Sequence, residues 1–213
     1  DTRWDLTGAT YSYGDELKKP GGRHNRLAAS LIINEDKLKV PSFEFDLEGQ
    51  KLGGSASYNF TGKSPLSLRL KAGALDLHRV ASFFPGLKKI DPAWVCRISL
   101  FARGAPDAPE EFIWRGNVSF ENISFSLSNG MERIRGLTGT AIFKDGGIEA
   151  SRLQALIGQS SIKGSCRMSN LHRRNFFCRL ETPQINTDDI GLTGRDGPVM
   201  LREVRARFTA GED

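Results

Sequence analysis

The sequence predicts a mainly β fold: a long antiparallel, curled and repeating β-groove sheet whose strands are apolar on one side and whose units end in short closing helices. Three observations predict it. Period-two alternation of apolar and polar residues dominates the 213 residues. Helical spacing is confined to a few short stretches. The chain also repeats itself: residues 27–80, slid forward by 110, fall on 137–190 without a gap. Leu38 meets Ile148, Phe43 meets Leu153, Leu47 meets Ile157, Leu52 meets Ile162, Leu66 meets Phe176 and Val80 meets Ile190. Only Leu27/Leu137, Ile32/Ile142, Gly54/Gly164, Ser55/Ser165, Arg69/Arg179 and Leu70/Leu180 are identical. What recurs is a hydrophobic pattern without a reactive constellation, as in a surface built by stacking similar units.

In chain order, Leu38 and Val40 are even while Phe43, Phe45 and Leu47 are odd. The phase changes at Pro41. The second copy changes phase in the same place, from Ile148 and Ala150 to Leu153, Ala155 and Ile157, which predicts a β-bulge near Pro41 and near Ser151. Leu52, Gly54, Ala56, Tyr58 and Phe60 alternate, and Leu66, Leu68 and Leu70 follow a Gly/Ser/Pro turn, so 51–72 is a hairpin and 161–182 its counterpart. Asp76–Phe84 has helical spacing and is stopped by Pro85-Gly86; Thr187-Asp188-Asp189-Ile190 opens its partner, with Thr187 at the N-cap. Trp94, Cys96, Ile98, Leu100 and Ala102 form a strand. So do Phe112, Trp114, Gly116, Val118 and Phe120, and Ile123, Phe125 and Leu127. Trp4 sits 110 before Trp114. Val204, Ala206 and Phe208 repeat Ile98, Leu100 and Ala102 at an offset of 106. The expected organisation is a partial unit over 1–88, a complete unit over 89–197 and the opening strand of a third over 198–213, excised from a longer array.

Composition narrows the class. Hydrophobic residues at 38% and charged residues at 26% fit an ordered globular chain, and no apolar run approaches the roughly 18–20 residues of a membrane span. The net charge of +5 is scattered: Lys18-Lys19, Lys88-Lys89 and Arg173-Arg174 are isolated pairs, and no nucleic-acid motif occurs, so nucleic acid is not an expected partner. His24, His78 and His172 lack metal-ligand spacing, and no metal or other cofactor is expected. Asp188-Asp189 reads as helix capping and Glu110-Glu111 as a solvated pair. Gly53-Gly54 and Gly146-Gly147 read as turns and bulges. Asn59-Phe60-Thr61, Asn117-Val118-Ser119 and Asn122-Ile123-Ser124 match the glycosylation sequon by coincidence. With no nucleophile–base pair, an enzyme is not expected.

Three cysteines are too few for a disulfide scaffold. If Met168 pairs with Phe176, Cys166 stands opposite Cys178. Opposed Cβ atoms lie about 4.5–5.5 Å apart, beyond the disulfide mean of about 3.8 Å, so two buried thiols are expected where Ala56 and Leu68 stand in the first unit.

A dozen one-sided strands with almost no helix leave an apolar face to cover, at about 25 cal/mol per Å². A barrel, a sandwich or a trough would do so. Long strands in an open repeat favour the trough; a structural or interaction β-sandwich of an envelope or surface protein is the alternative.

Two segments carry a family likeness: Arg135–Ile148, continued by Leu153–Gly158 and Ile162-Lys163-Gly164, and Ala74–Pro85 with its Leu75-Asp76-Leu77 closing motif. In these the chain resembles the AsmA-like proteins, including the YhdP and TamB relatives. Thr187 departs from the motif where Leu77 stands in the first unit. The resemblance implies a β-groove in the periplasm of a Gram-negative envelope, anchored in the inner membrane by a helix outside this chain. It implies a role in binding and conducting phospholipid between inner and outer membranes, supporting outer-membrane assembly, with acyl chains as the partner and no catalytic residue. It names no envelope protein partner. The groove lining it implies is Phe43, Phe45, Leu47, Ala56, Tyr58, Leu66, Leu68, Phe112, Trp114, Val118, Phe120, Phe125, Leu127, Phe143, Met168 and Phe176.

Overall fold

The computed structural model describes residues 1–14, 17–62, 65–85, 94–108, 111–126, 132–144, 146–169, 175–192 and 197–210. Leu127, Glu110, His172, Lys88-Lys89 and Arg173-Arg174 lie outside them. The first strands are β1 (Thr2–Asp5), β2 (Tyr11–Tyr13), β3 (Leu17–Lys19), β4 (Asn25–Ala29) and β5 (Ile32–Ile33). Then come β6 (Lys37–Leu47), β7 (Gln50–Asn59), β8 (Leu66–Asp76), β9 (Val95–Gly104) and β10 (Ile113–Phe125). The last five are β11 (Ile134–Lys144), β12 (Gly147–Ile157), β13 (Ser160–Met168), β14 (Phe176–Asn186) and β15 (Met200–Ala210). All but β2 and β3 form one curled antiparallel sheet, in the order β1-β4-β6-β7-β8-β9-β10-β11-β12-β13-β14-β15, with β5 extending β4 along β6. It does not close into a barrel. Several strands run 10 to 13 residues, about twice the usual length.

The repeat is a repeat of backbone register. Between β6 and β7, Val40 pairs with Ala56 and then, after a register shift, Phe43 with Gly54; between β12 and β13, Ala150 pairs with Cys166 and then Leu153 with Gly164. Both bulges stand where the change of phase puts them. Tyr58 pairs with Leu66 as Met168 pairs with Phe176. Strands β4 and β5 together correspond to β11: Ala28 faces Glu44 as Thr138 faces Gln154, and Ile32 faces Lys39 as Ile142 faces Glu149. Leu66 pairs with Gly104 and Phe176 with Ala210, reproducing the offset of 106. Trp4 and Trp114 are not counterparts. Trp4 pairs with Leu27, whose counterpart Leu137 pairs with Ile123, whereas Trp114 pairs with Ala102. Residues 6–24, which carry the β2–β3 ribbon, separate β1 from β4 and destroy the sequence spacing.

Short helical turns close each unit. Helix α1 (Leu77–Val80) runs into a 3-10 turn at Ala81–Phe83, and a second 3-10 turn spans Asp188–Ile190. Asp76 caps α1 by accepting from the His78 N–H at 3.0 Å. At the second turn Asn186 Oδ1, 110 residues on, accepts from the Asp188 N–H at 3.1 Å. Thr187 therefore does not cap with its side chain; its hydroxyl accepts from Val199 N–H at 2.9 Å. Asp189 departs from the capping expectation too, accepting from the Ser160 hydroxyl at 3.0 Å.

Two small cores sit beneath these turns. The first is Leu47, Val80 and Phe83, with Leu17, Phe45, Leu77 and Phe84 against them; the second is Ile157, Ile162 and Ile185, with Ile134, Leu180, Ile190 and Val204. Leu47/Ile157 and Val80/Ile190 are repeat partners. The ribbon adds a polar lock to the first core. Lys19, 1% exposed, donates to the carbonyls of Thr7 (3.1 Å), Ala9 (2.8 Å) and Pro20 (3.1 Å). Beside it the buried Asn25 donates to the Tyr11 hydroxyl.

The accessible surface is 14112 Å², against about 9,800 Å² for a compact monomer of 23.5 kDa. A main sheet with no second layer over it among the described residues exposes more surface than a compact fold.

Candidate functional site

Directly opposed residues of an antiparallel ladder share a face, so the pairings define rows across the sheet. One row crosses all twelve strands of the main path: Thr2, Ala29, Phe43, Gly54, Leu70, Leu100, Gly116, Phe143, Ile148, Met168, Phe176, Ala210. Only Thr2, at one edge, is polar. Flanking rows run Val40, Ala56, Leu68, Ala102, Trp114 and Ala72, Ile98, Val118, Ala141, Ala150, Cys166, Cys178, Phe208. Shorter rows run Trp4, Leu27, Phe45, Leu52; Leu38, Tyr58, Leu66, Gly104; and Leu75, Cys96, Phe120, Gly139. Phe125 faces Ile134, and Leu47 lies between Asn25 and Gln50.

The structure thus brings fifteen of the sixteen expected lining residues onto one continuous face, Leu127 lying outside the described residues. Most are half-buried. Leu47 is buried beneath α1 and belongs to the closing core, so it offers no open surface, while Phe176 is 42% exposed.

Glycines shape this face. A Cβ on Gly54 would run into the Arg69 carbonyl and stand 2.8 Å from the Phe43 ring. One on Gly104 would strike the Phe112 ring, which places Phe112 on this face, and one on Gly139 would lie 3.1 Å from the Phe120 ring. Each aromatic lies over a glycine of the neighbouring strand. Reading Gly54 as a turn or bulge residue is therefore corrected: it sits inside β7, where the close approach of Phe43 and the β8 backbone requires a residue with no side chain. Gly146, at φ 74°, is a turn glycine.

Cys166 and Cys178 pair in the expected register but form a disulfide. The expectation of two thiols fails because a Cα separation of 4.1 Å brings the sulfurs within bonding reach. Cys96 is a buried free thiol, and burial pushes its pKa up.

The opposite face is crossed by ion pairs, Lys51–Glu44 at 2.9 Å, Lys144–Glu149 at 3.0 Å, Arg167–Glu149 at 3.7 Å, Arg205–Glu181 at 3.9 Å and Arg97–Glu121, and also exposes the apolar side chains of Ile113, Ile142, Leu156 and Phe177 among them. Burial alternates to match, with β13 buried or half-buried on its inner positions and exposed between them. His24 lies 3.6 Å from Asp46, and His78 is exposed on α1. Among the described residues no His, Cys, Asp and Glu side chains group as a metal site, and no helix is long and apolar enough to cross a membrane.

The expected lining leaves out Leu70, Leu100, Ile98 and Ile148. Their parity was visible in the alternation; their place in the long rows needed the pairing. No family model, curated protein or solved structure matches the chain.

Proposed function

We propose that this chain is a lipid-binding groove module that takes phospholipid acyl chains along its apolar face and conducts them between the inner and outer membranes of a Gram-negative envelope. The observation that carries the reading is the row of apolar residues and glycines crossing the twelve-strand path with no layer of described residues over it. Each methylene moved from water onto such a surface contributes about 0.8 kcal/mol, so two acyl chains need no specific hydrogen bond. Residues 110 apart in matching registers offer similar sites in succession, which favours movement over capture. The disulfide supports an oxidising compartment such as the periplasm.

Native mass spectrometry of protein purified without detergent, followed by lipid extraction, tests the reading. Bound phospholipid is the expected result; lipid-free monomer that takes up none from vesicles refutes it. Phe120→Glu puts a charge over Gly139 in the middle of the face. It should abolish lipid capture while circular dichroism stays unchanged.

The second reading, a non-enzymatic interaction domain, draws on the sheet edges. β1 and β15 each pair on one side only among the described residues, and such edges can take a partner strand.

A further inference from the structure

A cavity of about 490 Å³ opens at the rim where the β7–β8 and β9–β10 connections meet, lined by Tyr58, Phe60, Gly62, Pro65, Ala105, Pro106 and Asp107. Its size falls within the roughly 300–1,000 Å³ of small-ligand sites. The Tyr58 and Phe60 rings stand 5.9 Å apart at an interplanar angle of 63°, forming two walls at a steep angle. Phe60 is 52% exposed, yet its backbone is held: Phe60 N–H donates to Asp36 O at 2.9 Å and Asn59 N–H to Pro65 O at 2.9 Å. Asp107 is the charged residue of the lining among the described residues and sits on a turn closed by Ala108 N–H to Ala105 O at 3.1 Å. No lysine or arginine lines the cavity among the described residues, and none makes an ion pair with Asp107.

Two aromatic walls and a carboxylate complement a cation of low charge density, since ring faces attract ammonium groups and a carboxylate neutralises them. Tyr58 belongs both to this cavity and to the apolar row through Leu66 and Gly104. An ammonium held at the rim would therefore be continuous with chains lying on the face. We infer that the rim cavity is a headgroup site for the ammonium moiety of a zwitterionic phospholipid, ethanolamine or choline. The inference rests on the groove reading and deepens it. In sequence the second unit has Met168 where Tyr58 stands and Asn170 where Phe60 stands, so the aromatic pair is not repeated.

The test loads the full chain from vesicles of equal phosphatidylethanolamine and phosphatidylglycerol and counts each bound lipid by native mass spectrometry. Wild type should take the ethanolamine lipid in about fivefold preference. Asp107→Asn and Phe60→Leu, both at exposed positions, should each bring the ratio near one with total lipid unchanged. Equal capture of the two lipids by wild type overturns the headgroup site and leaves the groove reading intact. If no lipid is captured, the groove reading fails. The cavity is then decided by titrating O-phosphoethanolamine and following Tyr58 and Phe60 ring protons by NMR. Shifts lost in Asp107→Asn uphold an ammonium site for a free solute, and no shift in wild type overturns it.

Discussion

Gly54 and Gly164 are the repeat's most informative identity, and substituting either by alanine tests whether the two units share one physical construction. Neither has a positive φ, so the cost is steric, not conformational. At Gly54 a Cβ collides with the Arg69 carbonyl and reaches 2.8 Å from the Phe43 ring; at Gly164 it collides with the Arg179 carbonyl and reaches 2.7 Å from Leu180 Cδ2. The Phe43 ring and Leu180 methyl can swing aside. The carbonyls cannot, because they belong to the β8 and β14 ladders, so each strand pair must part locally. Overpacking of this kind costs about 1–3 kcal/mol, and at this chain length each kcal/mol lowers Tm by about 2–4 °C. Both alanine variants should therefore melt about 2–12 °C below wild type when followed by circular dichroism. The disulfide adds an asymmetry. It ties β13 to β14 at Cys166–Cys178, the next pair on the same face as Gly164–Leu180, whereas β7–β8 has Ala56–Leu68 there. A tied pair parts less easily, so Gly164→Ala should cost more than Gly54→Ala in oxidised protein, and reduction should narrow the gap. Unchanged melting for both variants would refute the close-approach reasoning; equal losses, indifferent to reductant, would refute the part assigned to the disulfide.

Reduction, or the Cys166→Ala/Cys178→Ala pair, should cost about 3 kcal/mol for a cross-link spanning 12 residues; identical melting of oxidised and reduced protein contradicts this. Ellman titration of unreduced protein should find no reactive thiol in the native state and one after denaturation, that of Cys96. Burial raises the Cys96 pKa, so the unfolded chain loses that proton first; its contribution to stability is fully present below the ordinary thiol pKa and is lost as pH rises from there through the raised folded pKa. A native thiol that reacts at once at pH 8 would contradict the burial. Lys19→Met strips three part-buried carbonyls of their donor and should destabilise the fold by about 3–5 kcal/mol in urea melts; a loss under 1 kcal/mol would show the lock to be superficial.

The architecture was legible because a one-sided strand writes its geometry into alternate residues. The change of phase at Pro41 and again at Ser151 was enough to place two bulges, since one extra residue reverses the parity of everything after it. Three things were not legible. The pairing of Trp4 depends on residues 6–24, a ribbon whose buried Lys19 looks in sequence like a solvated cation. The disulfide turned on a local approach of the backbones that an average cross-strand distance does not capture. The role of the mid-strand glycines was hidden because a glycine signals a turn and a ring's resting place with the same letter. Gly54 and Gly139 become intelligible only once Phe43 and Phe120 are seen opposite them.

Those glycine–aromatic pairs also bear on how a proposed groove could both hold and release. A glycine opposite an aromatic leaves its ring the space that a Cβ would occupy. Phe43 against Gly54, Phe112 against Gly104 and Phe120 against Gly139 each approach the space that a side chain on the glycine would fill. Among the described residues, the clusters of buried apolar side chains lie under the closing turns, and on the face itself Cys96 and Ala102 are buried singly. Most positions of the face are half-buried and are expected to contribute less to stability than the clustered core positions. Conservative changes there, such as Val118→Ala or Leu100→Ala, should move lipid occupancy more than melting temperature. Equivalent substitutions at Phe83 or Ile157 should do the reverse, and finding all four to act alike on melting would show that the face is a core after all.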